Sequence, residues 1–345
     1  MIKFSAIQSI ALFSALSIAT AVMADDLFFA EISPDFLGGS VSRVRPDGIG
    51  LTRIVQVGAG VRSIAVDSLE HKVYWTDVDN FVIARSNLDG TSSENVISSS
   101  LVFPSAIAID ALGRNIYWLD QDTSLSRTNT DGANLYVLHQ TTTYRGIAID
   151  VPRNRVYWSV SDTASRGRIL VSHLDGSDVA TAVSGNLPNF RPGAIALDAA
   201  AGKLYWTDAI AKLVCRSNVD GTNIETLWTG DDTYSPRGIA LDLEHGILYW
   251  GRDTSTETME GAIMRASLDG SGPETILSGI GLVNYLEYVP DCQADFNADG
   301  TLDFFDYLDF VSEFANSAAL ADFNHDSVID FFDYLDFVLA FSGGC

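Results

Sequence analysis

An apolar run closing on Asp recurs five times along the chain: Ile64-Ala65-Val66-Asp67, Ile107-Ala108-Ile109-Asp110, Ile147-Ala148-Ile149-Asp150, Ile195-Ala196-Leu197-Asp198 and Ile239-Ala240-Leu241-Asp242. Eight residues after each Asp stands a Trp, namely Trp75, Trp118, Trp158, Trp206 and Trp250, and each Trp follows a Tyr. The Trp-to-Trp steps are 43, 40, 48 and 44 residues. A third element then ends in Asp-Gly, with Arg four residues before the Asp at Arg85/Asp89, Arg127/Asp131, Arg216/Asp220 and Arg265/Asp269. Asp175-Gly176 has Val171 in that place. Asp-Gly between short apolar runs signals a hairpin, because both residues tolerate positive φ. A fourth run follows, such as Asn95-Val96-Ile97 or Glu274-Thr275-Ile276-Leu277. Four short strands per unit of about 44 residues predict a propeller blade.

The chain ends supply one more blade in two pieces. Leu27 to Glu31 stands where a Tyr-Trp strand belongs, Arg43 with Asp47-Gly48 matches the third element, and Ile54-Val55 the fourth. The missing first strand is Tyr285 to Val289. Residues 25–290 number 266, about 44 per blade for six. Closing a ring this way removes exposed strand edges and ties the two ends together. The expected fold is therefore an all-β six-bladed β-propeller with a small α-helical module behind it.

The repeated Tyr74-Trp75-Thr76-Asp77, Tyr117-Trp118-Leu119-Asp120, Tyr157-Trp158-Ser159-Val160, Tyr205-Trp206-Thr207-Asp208 and Tyr249-Trp250-Gly251-Arg252 resemble the YWTD propeller of the low-density-lipoprotein-receptor class. The stretch Arg237 to Asp242 through Tyr249-Trp250 lies especially near that consensus, and the resemblance covers 25–290. It implies that the aromatics pack between blades and that the Asp joins blades through polar contacts. Ser159-Val160 and Gly251-Arg252 depart from the pattern, which predicts gaps in that polar belt.

In a four-stranded blade the second-to-third and fourth-to-first connections share one face. Residues 160–168 and 251–262 read as long second-to-third loops on it. The fourth-to-first loops bring Phe103, Tyr144, Phe190, Arg191, Asp231, Asp232 and Tyr234 to the same face. Loops on a rigid scaffold carry recognition, so this face is expected to bind a protein or glycan partner. The plain alternative is that these aromatics pack beneath loops that drift neutrally.

Residues 295–306 place oxygen side chains at loop positions 1, 3, 5, 9 and 12 (Asp295, Asn297, Asp299, Asp303, Asp306), Gly300 at position 6 and the carbonyl of Thr301 at position 7. That is the calcium-loop template with Asp in place of Glu at position 12. A second copy, 27 residues on, offers Asp322, Asn324, Asp326, the Val328 carbonyl, Asp330 and Asp333, with Ser327 in place of Gly, so it is the weaker of two Ca²⁺ sites. After each loop, Phe304, Tyr307, Leu308 and Val311 and their copies stand at i, i+3, i+4 and i+7, which predicts a helix. The duplicate over 291–345 resembles a type I dockerin, which implies a cohesin-like or cell-surface partner for the tail. The positions that contact cohesin in dockerins, loop positions 10 and 11, are here Phe304-Phe305 and Phe331-Phe332. Cys292 and Cys345 bracket this module, and in an exported protein such a bracket predicts a disulfide. Cys215 lies in a third strand and reads as a buried free thiol.

Met1 to Ala24 has a single charge, Lys3, then an apolar run, then Val22-Met23-Ala24 ahead of Asp25-Asp26. These are the parts of a secretory signal peptide cleaved near Ala24, and they predict a secreted, extracellular or cell-surface protein, with the periplasm as a further destination. A membrane anchor is the alternative reading of the same run. With 21 Lys+Arg against 45 Asp+Glu, the net charge of −24 argues against nucleic acid and anionic membranes as partners. The tail alone holds 12 acidic residues and no Lys or Arg. No HExxH, GxSxG or phosphate loop occurs, so no catalytic residues are assigned. The functional expectation is a non-enzymatic binding or scaffold protein whose tail docks or attaches it. The alternative is a calcium-dependent lactonase or lyase-type propeller, with Asp67, Asp110, Asp150, Asp198 and Asp242 as candidate metal ligands.

Overall fold

The computed structural model describes residues 25–33, 38–58, 60–120, 124–140, 144–162, 166–185, 190–231, 233–254, 260–290, 294, 296, 304–318, 321–323 and 328–343. The signal segment, Cys292, Cys345 and the calcium-loop residues Asp295, Asn297, Asp299, Thr301, Asp303, Asn324 and Asp326 lie outside the described residues, as does Asp232.

Six four-stranded antiparallel sheets form the ring. Blade 1 combines β1 (Asp26–Ile32), β2 (Gly39–Val44) and β3 (Thr52–Val57) from one end of the chain with an innermost strand from the other end. Blade 2 runs outward as β4 (Val61–Asp67), β5 (Lys72–Asp77), β6 (Val82–Asn87) and β7 (Glu94–Ile97). Blade 3 comprises β8 (Pro104–Asp110), β9 (Asn115–Asp120), β10 (Ser124–Asn129) and β11 (Tyr136–Gln140). Blade 4 holds β12 (Tyr144–Asp150), β13 (Arg155–Asp162), β14 (Arg166–His173) and β15 (Ala180–Ser184). In blade 5 the strands are β16 (Ile195–Asp198), β17 (Lys203–Asp208), β18 (Leu213–Asn218) and β19 (Glu225–Thr229). Blade 6 has β20 (Tyr234–Asp242), β21 (Ile247–Thr254), β22 (Gly261–Ser267) and β23 (Glu274–Ile280). The chain then returns as β24 (Leu282–Val289), which pairs with β1 from Asp26↔Val289 to Ile32↔Leu282 and closes blade 1.

Successive residues on a strand face opposite ways, so a Tyr-Trp pair buries one aromatic on each side of its sheet. Trp118, Trp158, Trp206, Trp250, Tyr74, Tyr117, Tyr205 and Tyr249 are among the largest fully buried side chains, joined by Phe28 and Phe29 of blade 1. The second strand of each blade is thus packed against both neighbouring blades, which is what a ring of sheets requires.

Polar links finish each junction. Arg85 donates to Glu94 (2.8 Å) in its own blade and to the Thr130 carbonyl (2.9 Å) in the next. Arg216 reaches the Leu268 carbonyl (2.9 Å) and Arg265 the Pro46 carbonyl (3.2 Å) in the same way. At these three junctions the Arg before Asp-Gly is therefore an interblade strut. Asp89 accepts the N–H of Thr91 at 2.8 Å, and Gly90 has φ +86° with Ile54 of the preceding blade so near that a Cβ would lie 2.2 Å from its carbonyl. The turn needs Gly on both counts.

The expected gaps in the polar belt are filled. Ser159 donates to the Gly193 carbonyl (2.9 Å) of the next blade, as Thr207 donates to that of Arg237, and it also accepts the Gly146 N–H (2.9 Å). Past Gly251, Asp253 stands one residue later and accepts the Val283 N–H at 3.3 Å. Gly251 itself is a contact point, since a Cβ there would sit 2.7 Å from the Val283 carbonyl. In blade 1, Glu31 takes the Asp place and accepts the Gly281 N–H at 3.0 Å.

Within the stretches read as long loops at 160–168 and 251–262, the described residues 160–162, 166–168, 251–254 and 261–262 are strand. The β13–β14 ladder runs on through Ser161↔Gly167 to Asp162↔Arg166, and β21–β22 through Arg252↔Ala262 to Asp253↔Gly261. Backbone groups that would need water in a loop pair with each other instead.

Behind the propeller come α1 (Phe304–Ala315) and α2 (Phe331–Gly343), the two helices expected from the duplicated pattern. Phe310 and Phe337, 27 residues apart like the repeat, stack with centroids 4.0 Å apart over Ala294 and Ala321. Tyr307 and Tyr334 hydroxyls meet at 3.2 Å. Among the described residues no helix is long and apolar enough to cross a membrane.

Candidate functional site at the channel mouth

The inner strands begin on the face shared by the second-to-third and fourth-to-first connections. In five blades the ladder is interrupted at that end: between Val61 and Ile64 in blade 2, Pro104 and Ala106 in blade 3, Tyr144 and Ile147 in blade 4, Pro236 and Ile239 in blade 6, and Val283 and Tyr285 in blade 1. One extra residue is accommodated at each, a β-bulge, which re-aims the side chains it carries. The bulges of blades 2, 4 and 6 hold Arg62, Arg145 and Arg237 at one repeat position. The same position in blades 3, 5 and 1 holds Ser105, Gly193 and Asn284. Together with Arg191 they line a cavity of about 470 Å³ at the channel mouth, walled by Phe103, Thr207, Ile210, Ser235 and Pro236.

Tyr285 is the floor. The other five blades have a small residue at its place (Ser63, Ala106, Gly146, Ala194, Gly238). Its hydroxyl crosses from blade 1 to accept the Ile147 N–H of the opposite blade 4 at 3.3 Å. Burial holds its pKa well above the usual phenol range. Below it the channel continues as a cavity of about 260 Å³ walled by Ile, Ala and Leu, with Glu287 where the other blades have Ala. Glu287 accepts the Val66 N–H at 3.0 Å, and burial pushes its carboxyl up to about 8.

The mouth is electropositive. Burial lowers the Arg62 pKa, Asp79 opposes that shift and the charge of Arg237 adds to it. Burial also lowers that of Arg145, with repulsion from Arg237 and Arg191. Arg62 lies over the Phe103 ring, 5.7 Å from its centroid. The Nε atoms of Arg62 and Arg191 are buried without a hydrogen-bond partner among the described residues. Arg237 is held by Asp253 at 2.7 Å, and burial raises Asp253 to about 6 against the pull of that arginine.

Of the face residues expected from sequence, Phe103 and Arg191 line this cavity. Phe190 does not present its ring to a partner: it is 1% exposed and packs edge-on against Trp206, centroids 6.0 Å apart. Tyr234 lies under the Arg252 guanidinium at 4.0 Å. Asp231 accepts the Thr233 N–H at 2.8 Å and shapes the loop, while Tyr144 opens β12 opposite Val160. Arg62, Arg145, Arg237, Asn284 and Tyr285 were not singled out from sequence. The signal was present, as an Arg at one repeat position of every second blade.

Asp67, Asp110, Asp150, Asp198 and Asp242 are buried at the far ends of the inner strands. Each accepts turn amides: Leu69 and Glu70, Gly113, Arg153, Ala201 and His245, at 2.8–3.1 Å. They cap turns and do not converge. Cys215 is a buried free thiol, and burial pushes it up to about 11.

In the tail, Asp330 accepts the Phe332 N–H (2.8 Å) while Asp333 accepts the Asp330 N–H (2.7 Å), a reciprocal cap at the start of α2. Asp333 also accepts the Phe323 N–H (2.8 Å), which ties the twelfth position of the second loop to the backbone of its second. Asp306 and Asp333 are both fully buried, and Val328 is exposed.

A six-bladed YWTD propeller with a basic pocket at its axis is thus the class that fold and site define. The low-density lipoprotein receptor repeat class B family matches residues 71–111 and 202–243, so the chain carries repeats of that class. It is 36% identical over 140 residues to low-density lipoprotein receptor-related protein 1 of Pyricularia oryzae, covering 36% of this chain and 45% of that protein. It is 30% identical over 162 residues to low-density lipoprotein receptor-related protein 5-like protein of Homo sapiens, covering 46% and 63%. The chain thus spans less than two thirds of either relative. Among solved structures, the nidogen/laminin complex has a chain similar at TM-score 0.65 and 22% identity, over 77% of this chain and 98% of that one. TolB from Acinetobacter baumannii is similar at 0.63 and 10% identity, over 78% and 68%, and the gluconolactonase XC5397 of Xanthomonas campestris at 0.53 and 16%, over 67% and 84%. These three likenesses are of fold alone.

Proposed function

We propose that this chain is an exported recognition protein whose propeller binds a protein partner across the channel mouth, and whose tail is a calcium-stabilised module for docking or attachment. The observation that carries the reading is the mouth itself, a cavity of about 470 Å³ built on bulged inner strands, where loop residues meet four arginines. The likeness to receptor-related proteins and to a chain of the nidogen/laminin complex agrees with protein recognition. Export rests on the pattern of Met1 to Ala24. The tail reading rests on the duplicated acidic loops, whose hard oxygen donors suit Ca²⁺, and on the bond that ties Asp333 back to the start of the second loop at Phe323. The lactonase-type alternative lacks such support, since its candidate aspartates cap turns away from the mouth.

A photo-crosslinking residue placed at Ser235, on the mouth, is expected to trap a discrete protein from the exported proteins of the source cells. The same residue at Leu112, an exposed turn position at the opposite end of the blades, should trap none. Equal products from both positions, or none from Ser235, would sink the proposal.

A further inference from the structure

Four of the chain's 21 Lys and Arg residues line one cavity, and among the described residues none of the 45 Asp and Glu lines it with them. In a protein of net charge −24 such a gathering runs against composition. It also carries a physical cost. Arg237 repels both Arg62 and Arg145, Arg191 adds to the repulsion on Arg145, and burial weakens the solvation of Arg62 and Arg145. The acids nearby are Asp253, spent on Arg237, Asp208, whose carboxylate accepts the amides of Arg191, Ile210 and Ala211, and Asp79, which faces Arg62. The Nε donors of Arg62 and Arg191 have no hydrogen-bond partner among the described residues. A guanidinium presents a planar fork that matches a carboxylate in two parallel hydrogen bonds. Arginines arriving from blades 2, 4, 5 and 6 can engage more than one such group at once. Ser105, Thr207, Ser235 and Asn284 stand between them as further polar contacts.

Taking the recognition reading above as its basis, we propose that the mouth is a polycarboxylate site, and that the partner enters it with an acidic segment whose Asp or Glu side chains are clamped by Arg62, Arg145 and Arg191. The same chemistry could be offered by a free small polycarboxylate, and the test separates the two.

The full chain is titrated calorimetrically at low salt with acetyl-hexaglutamate amide, its hexaglutamine counterpart, and propane-1,2,3-tricarboxylate. The acidic peptide is expected to bind, its neutral counterpart not, and affinity should fall as salt rises. Arg62→Gln with Arg145→Gln should weaken the acidic peptide at least tenfold. Arg45→Gln, in a turn at the opposite end of the blades, should leave it unchanged. Because removing arginines could disturb the mouth, Ser105→Glu serves as a second variant: it keeps every arginine, supplies an internal carboxylate, and should compete to the same extent. Tricarboxylate binding without peptide binding overturns the acidic-segment assignment. Peptide affinity untouched by the mouth variants, or lowered equally by Arg45→Gln, overturns the site. A specific cross-link at Ser235 with no response here would refute this assignment alone and leave the recognition face standing.

Discussion

Ser159 illustrates how a departure from a repeat is absorbed. Its hydroxyl is fully buried, donates to Gly193 in the next blade and accepts from Gly146 in its own. Removing it strands a buried carbonyl and a buried amide. Ser159→Ala should therefore destabilise the propeller by about 1–3 kcal/mol, read as a lower urea midpoint at unchanged slope. Ser159→Thr, the consensus hydroxyl, should recover most of that loss. An Ala variant as stable as the native chain would remove the hydroxyl from the interblade link.

At the scale of elements, the helix pair rests on a core small enough to need help. Phe310 and Phe337 carry its centre, while Phe304, Phe305, Phe331 and Phe332 remain 63–64% exposed. Buried Asp306 and Asp333 stand at the twelfth loop positions in a segment without a single Lys or Arg. If the loops hold Ca²⁺, chelation by EGTA should melt the tail of the full chain and leave the propeller intact, because metal binding and folding are coupled in such modules. Hydrogen exchange checks this: amides of 304–315 and 331–343 should lose protection on chelation and regain it with added Ca²⁺, while those of 72–77 and 203–208 stay protected. Unchanged protection in the helices would end the calcium reading.

The whole ring is closed by one strand unlike the other five, and Glu287 is its cost. Where five blades put Ala, blade 1 puts a carboxyl in an apolar channel with one amide donor, and its folded pKa is raised from 4.5 to about 8. A raised carboxyl favours the fold fully only below its ordinary pKa, and that contribution is lost as pH rises through 8, by at most about 1.4 kcal/mol per pH unit. Glu287→Gln keeps an acceptor for Val66 and cannot ionise. Its melting temperature should match the native one near pH 4 to 5 and exceed it progressively up to pH 8 to 9. Parallel melting curves across that range would show that Glu287 does not titrate in the channel.

The chain by itself determined what repetition can encode. Tyr-Trp strands 40 to 48 residues apart and Asp-Gly turns each serve every blade alike, so packing between like units can be read from one unit, and the split closing blade follows from counting. The helices after the acidic loops were equally legible, because their period is local. What only the tertiary structure decided lies on the axis, where residues far apart in sequence converge. Phe190 turns inward to Trp206, and Ser159 and Asp253 restore contacts that their motifs lack. Above all, an acidic chain gathers Arg62, Arg145, Arg191 and Arg237 into one basic pocket. Net charge averages over the surface, and a sixfold ring brings every sixth of the chain to the same point, so the pocket exists only once the ring is closed.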